Sequence, residues 1–475
     1  MTFVELWNAS IEEDFEFNYM AMEAVFSKSL PQEVKDEYDV GELLVDFEGT
    51  CVRKWRFDWI EGVRKLLKAH HPELFQEMLP YYNHSLISYY CYHDEQENLR
   101  ELVEDFLIDP VEHTNFFFAI MWKLLFYQHN DLVKEIVERA YPDISESDSL
   151  LPDSSLRLTL LKFLMEQEKI YENYLSTGKF EWEPFNSIMK DYGLDISSSY
   201  NRLFEKGIEH GWEKLADDMP KGQNNVKTKG LTMLELPFNL YMKEKGFSFS
   251  LSGTMWQYVG QYWRKEGKGN NFQSFVRLEP KKFKEFLREQ SGLLIDFRFF
   301  TVMILWGSSY VYDFFFKAQL IDEAEYAQSR TVIQGLKKEL IAENLADLWE
   351  YNFINTWPKA DMSSEEERKE EVEIFRKYYG ADKEEVSQKH QQGFFIDPNF
   401  SFDDFLAPEP SVESTFKPKP RQKLVTTVRR DRPKIGRNER ITVKYLDGRI
   451  IENIKYKKVE ADIESGECEI MEGDG

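Results

Sequence analysis

The sequence has little with which to do recognisable chemistry. Of its 475 residues only Cys51, Cys91 and Cys468 are cysteine, widely separated, with no CxxC and no zinc-type Cys/His spacing. That count excludes a disulfide framework and a cysteine-based zinc site, and it suits a reducing compartment. HExxH, GxSxG and GxGxxG are all missing, so no zinc-protease, nucleophile-elbow or dinucleotide signature is present. The text nearest to a phosphate loop, Gly260 to Lys268, has the wrong spacing and lacks the Ser or Thr that would hold magnesium. The opening stretch MTFVELWNASIEEDFEF carries neither the basic start nor the apolar run of a signal peptide, so the expected location is the cytoplasm.

Long uncharged apolar runs are lacking too. Leu293 to Phe316 comes closest, but it contains Asp296, Arg298 and Asp313, with Gly307, Ser308 and Ser309 in the middle. Each central charge costs a few kcal/mol in hydrocarbon, so the stretch is expected as two buried helices, or a helix and its turn, and not as a membrane span.

What is present is material for large cores. The chain fits two or three domains, and 42% hydrophobic with 15% aromatic residues is a globular composition. The net charge of -25 is unevenly spread: Lys417 to Lys458 holds 15 Lys or Arg against 4 Asp or Glu, a net of +11, leaving -36 on the remainder. The body should repel nucleic acid, and no double-stranded DNA partner is expected; the tail is free of that repulsion.

Helical periodicity dominates residues 1–215. Leu99, Leu102, Val103 and Phe106 follow the i, i+3, i+4, i+7 rule, with Pro110 as a stop. Thirty-three residues later Leu132, Ile136 and Ala140 match Leu99, Val103 and Leu107, and Pro142 is expected to end that helix. A fainter relative lies around Leu74 to Pro80. The fold class is therefore mainly α, either an irregular array of helical hairpins or a non-repeating bundle, closed by a small C-terminal β-rich domain.

The texture changes over 216–275, which reads as a turn-rich connection with a short hairpin at Phe247 to Leu251, where FSFSL alternates at period two. A second helical lobe is expected over 276–385. There Leu336, Leu340, Ile341, Leu345 and Leu348 share a face, and Ser364 with Glu367 forms a capping box before a helix that Gly380 should close. Residues 386–432 read as a flexible linker in which Phe400, Phe402 and Phe405 are interleaved with acids.

Candidate catalytic groups are few. His84, His93, His113 and His129 fall in one helical region beside Asp94, Glu112 and Asp131, and an enzyme site, with or without metal, would require them to converge. Glu12 with Glu13, or Asp403 with Asp404, could serve as acid and base, although adjacent acids are expected by chance among 85. Tyr81, Tyr82, Tyr89, Tyr90 and Tyr92 read as a core stripe, with a peptide groove as the alternative. No cofactor is implied.

The end of the chain, 433–472, reads as short strands. Ile441 to Tyr445 alternates, Asp447 with Gly448 is a turn pair before RIIENIKYKK, VEADIESG reads as a helical turn, and ECEIM as a closing strand. PKIGRN, Pro433 to Asn438, resembles the lead-in of the SEC-C motif, the short extension at the end of the protein-translocation motor SecA and of other bacterial proteins. Where that motif has a zinc knuckle, Glu439, Arg440 and Ile441 follow instead. The run Lys455, Tyr456, Lys457, Lys458 is similar to its KKYKK without the metal ligands, as in a metal-free version of the tail found in one bacterial phylum.

The resemblance covers about 40 residues, Pro433 to Met471, and implies association with export chaperones or the ribosome. The expected partner-binding residues are Arg429, Arg430, Arg432, Lys434, Ile435, Gly436 and Arg437. Asn438, Arg440, Tyr445, Lys455, Lys457 and Lys458 complete the set. The function expected is that of a non-enzymatic binding or adaptor protein. Its helical body would hold a protein partner and its basic tail would associate with the ribosome, through ribosomal RNA, or with a nascent chain or export chaperone. An enzyme with a His/acid site in the N-terminal body is the alternative, and the tail could instead fold back on the acidic body.

Overall fold

The computed structural model describes residues 1–10, 17–147, 152–191, 215, 219, 222–290, 298–381, 440–445, 450–455 and 468–471. They belong to two compact units, Met1–Pro398 and Asn399–Gly475. The protein is mostly helical, as the periodicities predict.

The first unit opens with α1 (Phe3–Ser10), α2 (Tyr19–Phe26), α3 (Gln32–Glu37) and α4 (Val40–Arg53). Next come α5 (Phe57–His70), α6 (Pro72–His93), α7 (Gln96–Leu107), α8 (Thr114–Phe126), α9 (Asn130–Glu146) and α10 (Pro152–Thr177), then α11 (Trp182–Asp191). Helix α6 packs on α5, α7 and α8, while α9 packs on α7, α8 and α10. Of the positions that recur in the sequence, Leu99, Val103, Leu132, Ile136 and Ala140 are buried and Leu107 is half-buried, on two helices that pack together.

Charged side chains stitch the odd-numbered helices together. Lys68 of α5 holds Asp105 of α7 at 2.9 Å, and Arg100 of α7 holds Glu135 of α9 at 2.6 Å. Beneath them Arg64, only 2% exposed, donates to Asn83 at 2.9 Å and pairs with buried Asp105 and half-buried Glu101. A buried guanidinium is tolerable only with such a set of acceptors.

Two prolines do not stop their helices. Pro80 lies inside α6 and Pro142 inside α9, which runs on to Glu146. Interior proline costs about 3 kcal/mol, and burial of Leu79 and Tyr82 around the first, and of Ile144 beyond the second, offsets it.

The described part of the expected turn-rich connection is instead largely helical. After Gly222, at φ 92, the turn Gln223–Asn225 and a π-helical segment, Val226–Gly230, run into α12 (Leu231–Glu244), and α13 spans Phe249–Glu266. Phe247 to Leu251 is no hairpin strand: the Ser248 hydroxyl accepts from the Leu251 N–H and caps α13. Phe247, Phe249 and Leu251 are buried, and so are Ser248 and Ser250 between them and Ser252 after them, so the period-two alternation does not separate an inner from an outer face.

Helix α13 is the hub, packing against α8, α10, α12 and two later helices, α15 (Pro280–Gln290) and α16 (Arg298–Lys317). Gly253 lets α10 approach, since a Cβ there would sit 2.6 Å from Leu164 Cδ1. The short α14 (Phe272–Phe275) lies between α13 and α15. Helix α16 runs unbroken through Gly307, Ser308 and Ser309, with no turn. It is the one described helix long and apolar enough to cross a membrane, and 94% of that window is buried inside the body.

Helix α17 (Glu323–Glu343) ends at Asn344, so the leucine face splits: Leu345 and Leu348 belong to a 3-10 segment, Leu345–Thr356, with a kink at Tyr351. That segment reaches α6, α16, α17 and α18 (Glu365–Lys377). Ser364 and Glu367 make the expected capping box, and Gly380, at φ 76, follows the end of α18.

In the second unit β1 (Arg440–Tyr445) lies between β2 (Ile450–Lys455) and β3 (Cys468–Met471), antiparallel to both. The register shifts between Ile441 and Val443.

Candidate functional sites

The four histidines do not form a site. His84 is half-buried, its Nε2 3.4 Å from the Lys123 ammonium, and that charge, followed by desolvation, holds the imidazole well below its usual range. His93 meets the Tyr379 hydroxyl at 2.6 Å. His129 places Nδ1 3.1 Å from Gln96 Nε2, and burial lowers its pKa. His113 lies edge-on to Phe106. Asp94 caps α6 in a left-handed conformation and accepts from Gln96, while Glu112 and Asp131 are solvent-side residues. Among the described residues no three His, Cys, Asp or Glu side chains are grouped as metal ligands would be.

The tyrosines of α6 are mainly a core stripe. Tyr82 donates to the Leu44 carbonyl at 3.0 Å from full burial, Tyr90 is buried, and Tyr89 stacks on Phe57. Tyr92 stacks on Tyr379 with ring centroids 4.3 Å apart, and Tyr81 is the exposed member. Around Tyr92 and Tyr379 the end of the last body helix is fastened down: the Trp55 indole donates to the Ala381 carbonyl at 2.8 Å and its ring meets Trp349. The 3-10 segment is fixed in the same way, with Trp357 donating to the Phe126 carbonyl at 2.8 Å and Gln128 to that of Thr356 at 3.0 Å. The 3-10 segment thereby packs on α6 and is tied to the end of α8.

Cys51 and Cys91 are buried, and desolvation pushes the Cys51 thiol up to about 12 and raises that of Cys91 still further. Neither is an activated nucleophile. Asp313, 3% exposed in α16, accepts from the Tyr326 hydroxyl at 2.6 Å and from the N–H groups of Asp361 and Met362 at 2.6 and 2.9 Å. Burial nevertheless pushes its carboxyl up to about 6. Lys337 and Glu371 form another buried pair, at 3.1 Å. These groups join helices. The charge Asp313 that argues against a membrane span is a structural tie.

Two hollows among the described residues stand out. One, about 320 Å³, lies between α15, α16 and α17, lined by Leu287, Val302, Leu305 and Leu336, with Lys284 bound to Glu339 at its rim. A wider cleft of about 710 Å³ runs between α9, α10 and the turn before α13, where lysines and glutamates of both signs alternate.

Of the expected tail residues, Arg440, Tyr445 and Lys455 lie on strands. Arg440 is opposite Lys455, and Tyr445 is opposite Cys468. Arg429, Arg430, Arg432, Lys434, Ile435, Gly436, Arg437, Asn438, Lys457 and Lys458 lie outside the described residues, as do Glu12, Glu13, Asp403 and Asp404.

No family model and no solved structure matches the chain. Over 37 residues it is 57% identical to the protein translocase subunit SecA of Amoebophilus asiaticus (strain 5a2). That stretch is 8% of this chain and 3% of the length of SecA, so the likeness supports a SecA-related region of the chain and reaches no further.

Proposed function

We propose that the protein is a cytoplasmic binding or adaptor protein whose basic, SecA-tail-like C-terminal segment associates with the ribosome or with protein-export components. The observation that carries this reading is the 37-residue stretch at 57% identity to SecA. The charge of the tail supports it: a net of +11 over Lys417 to Lys458 in a chain of -25. In this reading β1, β2 and β3 form a small domain that folds without metal, since Cys468 is its one soft ligand and zinc needs about four.

The helical body is read as an irregular array of hairpins, supported by ion pairs that join residues 33 to 37 positions apart across α5, α7 and α9. With the chain's own 3-10 segment packed on α6 and tied to the end of α8, a protein partner would use the outer surface of that array. The enzyme alternative has no comparable support, because the four histidines have four separate sets of partners. Affinity purification of the full chain beside a truncation ending at Pro410 tests the reading. Ribosomal or export proteins retained by the full chain and lost on truncation support it; identical partner sets for the two overturn it.

A further inference from the structure

The last helix of the body is lightly seated. Of the thirteen residues of α18 only Glu371 and Phe375 are buried, and the helix packs chiefly against the 3-10 segment. Its first turns are held firmly: Arg330 reaches Glu367 at 3.0 Å, and the Arg368 guanidinium donates to the carbonyls of Ile354 and Trp357 at 2.9 and 2.7 Å. Beyond Arg368 the attachments change character. Glu371 pairs with Lys337 at 3.1 Å, Phe375 meets the Trp306 ring edge-on at 5.5 Å, and Asn355 donates to the Val372 carbonyl at 3.3 Å. Past the helix end Tyr379 stacks on Tyr92, its hydroxyl lies 2.6 Å from His93 Nε2, and Trp55 donates to the Ala381 carbonyl.

Several groups at this contact favour its opening. Trp306 Nε1, Trp349 Nε1 and Asn355 Oδ1 are buried without a hydrogen-bond partner, and each belongs to a side chain that touches α18 or the turn after it: Trp306 against Phe375, Trp349 against Tyr379 at 5.8 Å, Asn355 against Val372. A buried polar atom left unpaired is unfavourable, and lifting the helix end admits water to all three. The Lys337–Glu371 pair acts in the same sense. Lys337 is 2% exposed and burial holds its ammonium below the usual range, so both charges recover hydration on separation, which offsets much of their attraction. Phe375 and the Tyr379 stack are left to hold the eleven residues from Glu371 to Ala381.

Segments with few buried apolar contacts are the ones that open while a protein stays folded. We propose that Glu371 to Ala381 is a releasable strap: it peels from the body as a unit, hinged where Arg368 is bonded to the 3-10 segment and latched by Tyr379, while the helices beneath it stay folded. Seated, it covers the rings of Tyr92, Trp306 and Trp349. Released, it uncovers them and adds eleven residues, up to about 40 Å of extended chain, to the stretch that leads to the C-terminal unit. The device is independent of what the tail binds.

Native-state hydrogen exchange of the full chain, followed by mass spectrometry on overlapping peptides, tests it. Amides from Glu371 to Lys377 should share one level of protection and exchange at least about a hundredfold faster than those of α16, at a rate that low urea leaves nearly unchanged, since a small opening exposes little surface. Tyr379→Ala should speed them about tenfold or more while α16 keeps its rate, and Tyr379→Phe, which retains the stack on Tyr92, should have the smaller effect. Changing Lys337→Met together with Glu371→Leu should slow the strap, because an apolar pair has no hydration to recover. Four results would each overturn the proposal. Strap amides that exchange at the rate and with the urea dependence of α16 would mean that no separate opening exists. Protection that falls residue by residue toward Lys377 would be ordinary fraying of a helix end. Equal acceleration of strap and α16 in Tyr379→Ala would make that tyrosine part of the global core, and faster strap exchange in the Lys337→Met, Glu371→Leu variant would make the ion pair the latch in place of Tyr379.

Discussion

Arg100 on α7 and Glu135 on α9 meet at 2.6 Å, 35 residues apart, so the two helices whose apolar residues recur in sequence lie side by side. The contact is exposed on the arginine side, and exposed pairs are worth little. Arg100→Ala should therefore change stability by no more than about 1 kcal/mol.

Asp105→Ala should behave very differently. It leaves the Arg64 guanidinium buried beside a smaller set of acceptors, and breaking such a pair typically costs about 3–5 kcal/mol. Urea unfolding of the two variants checks the contrast. Equal, small effects would mean that α5, α6 and α7 are not held by this cluster.

Gly253→Ala inverts the usual rule. Replacing glycine by alanine inside a helix ordinarily stabilises by about 0.5–1 kcal/mol. Here the new Cβ would meet Leu164 at 2.6 Å across the α10–α13 contact, and overpacking of this kind typically costs about 1–3 kcal/mol. A lower melting temperature is expected; a higher one would show that α10 and α13 do not approach at this glycine.

Asp313 and His84 should tilt the pH dependence of stability in opposite directions. The Asp313 carboxyl is raised to about 6, so the native state holds its proton more tightly than the unfolded chain does. Its favourable contribution is complete below the ordinary carboxylate range and is lost as pH rises through about 6. His84 is depressed, chiefly by the Lys123 charge, so holding it in place costs stability as pH falls below the usual imidazole value. The difference in unfolding free energy between the wild type and Asp313→Asn should shift by about 2 kcal/mol between pH 4 and 7. A constant difference would contradict the raised carboxyl.

Much of the fold is legible in the sequence where helices have one buried face. Leu99, Leu102, Val103 and Phe106 mark α7, and Ser364 with Glu367 marks the start of α18. Legibility fails where burial surrounds an element. At Phe247 to Leu251 serines and apolar residues are buried alike, so a period of two carries no information about which side faces water. In α16 tertiary packing overrides Gly307, Ser308 and Ser309, and Pro142 is carried inside α9 by the burial around it.

The tail can be tested for metal by elemental analysis of the purified full chain. Without a set of soft ligands, no stoichiometric zinc is expected. Zinc retained at one per chain, with loss of structure in the tail on chelation, would refute the metal-free reading.

The most direct measurement is co-sedimentation with ribosomes across a salt series, comparing the full chain with a truncation before Lys417. If the tail addresses the ribosome through Arg429, Arg430, Arg432, Lys434, Arg437 and Arg440, six phosphate contacts predict a roughly thousandfold loss of affinity between about 50 and 200 mM salt. Truncation should then abolish most of the low-salt binding. A shallow salt dependence with strong sensitivity to Ile435 or Tyr445 would point to an export chaperone as the partner. Ribosome binding unchanged by truncation at every salt concentration would contradict the account.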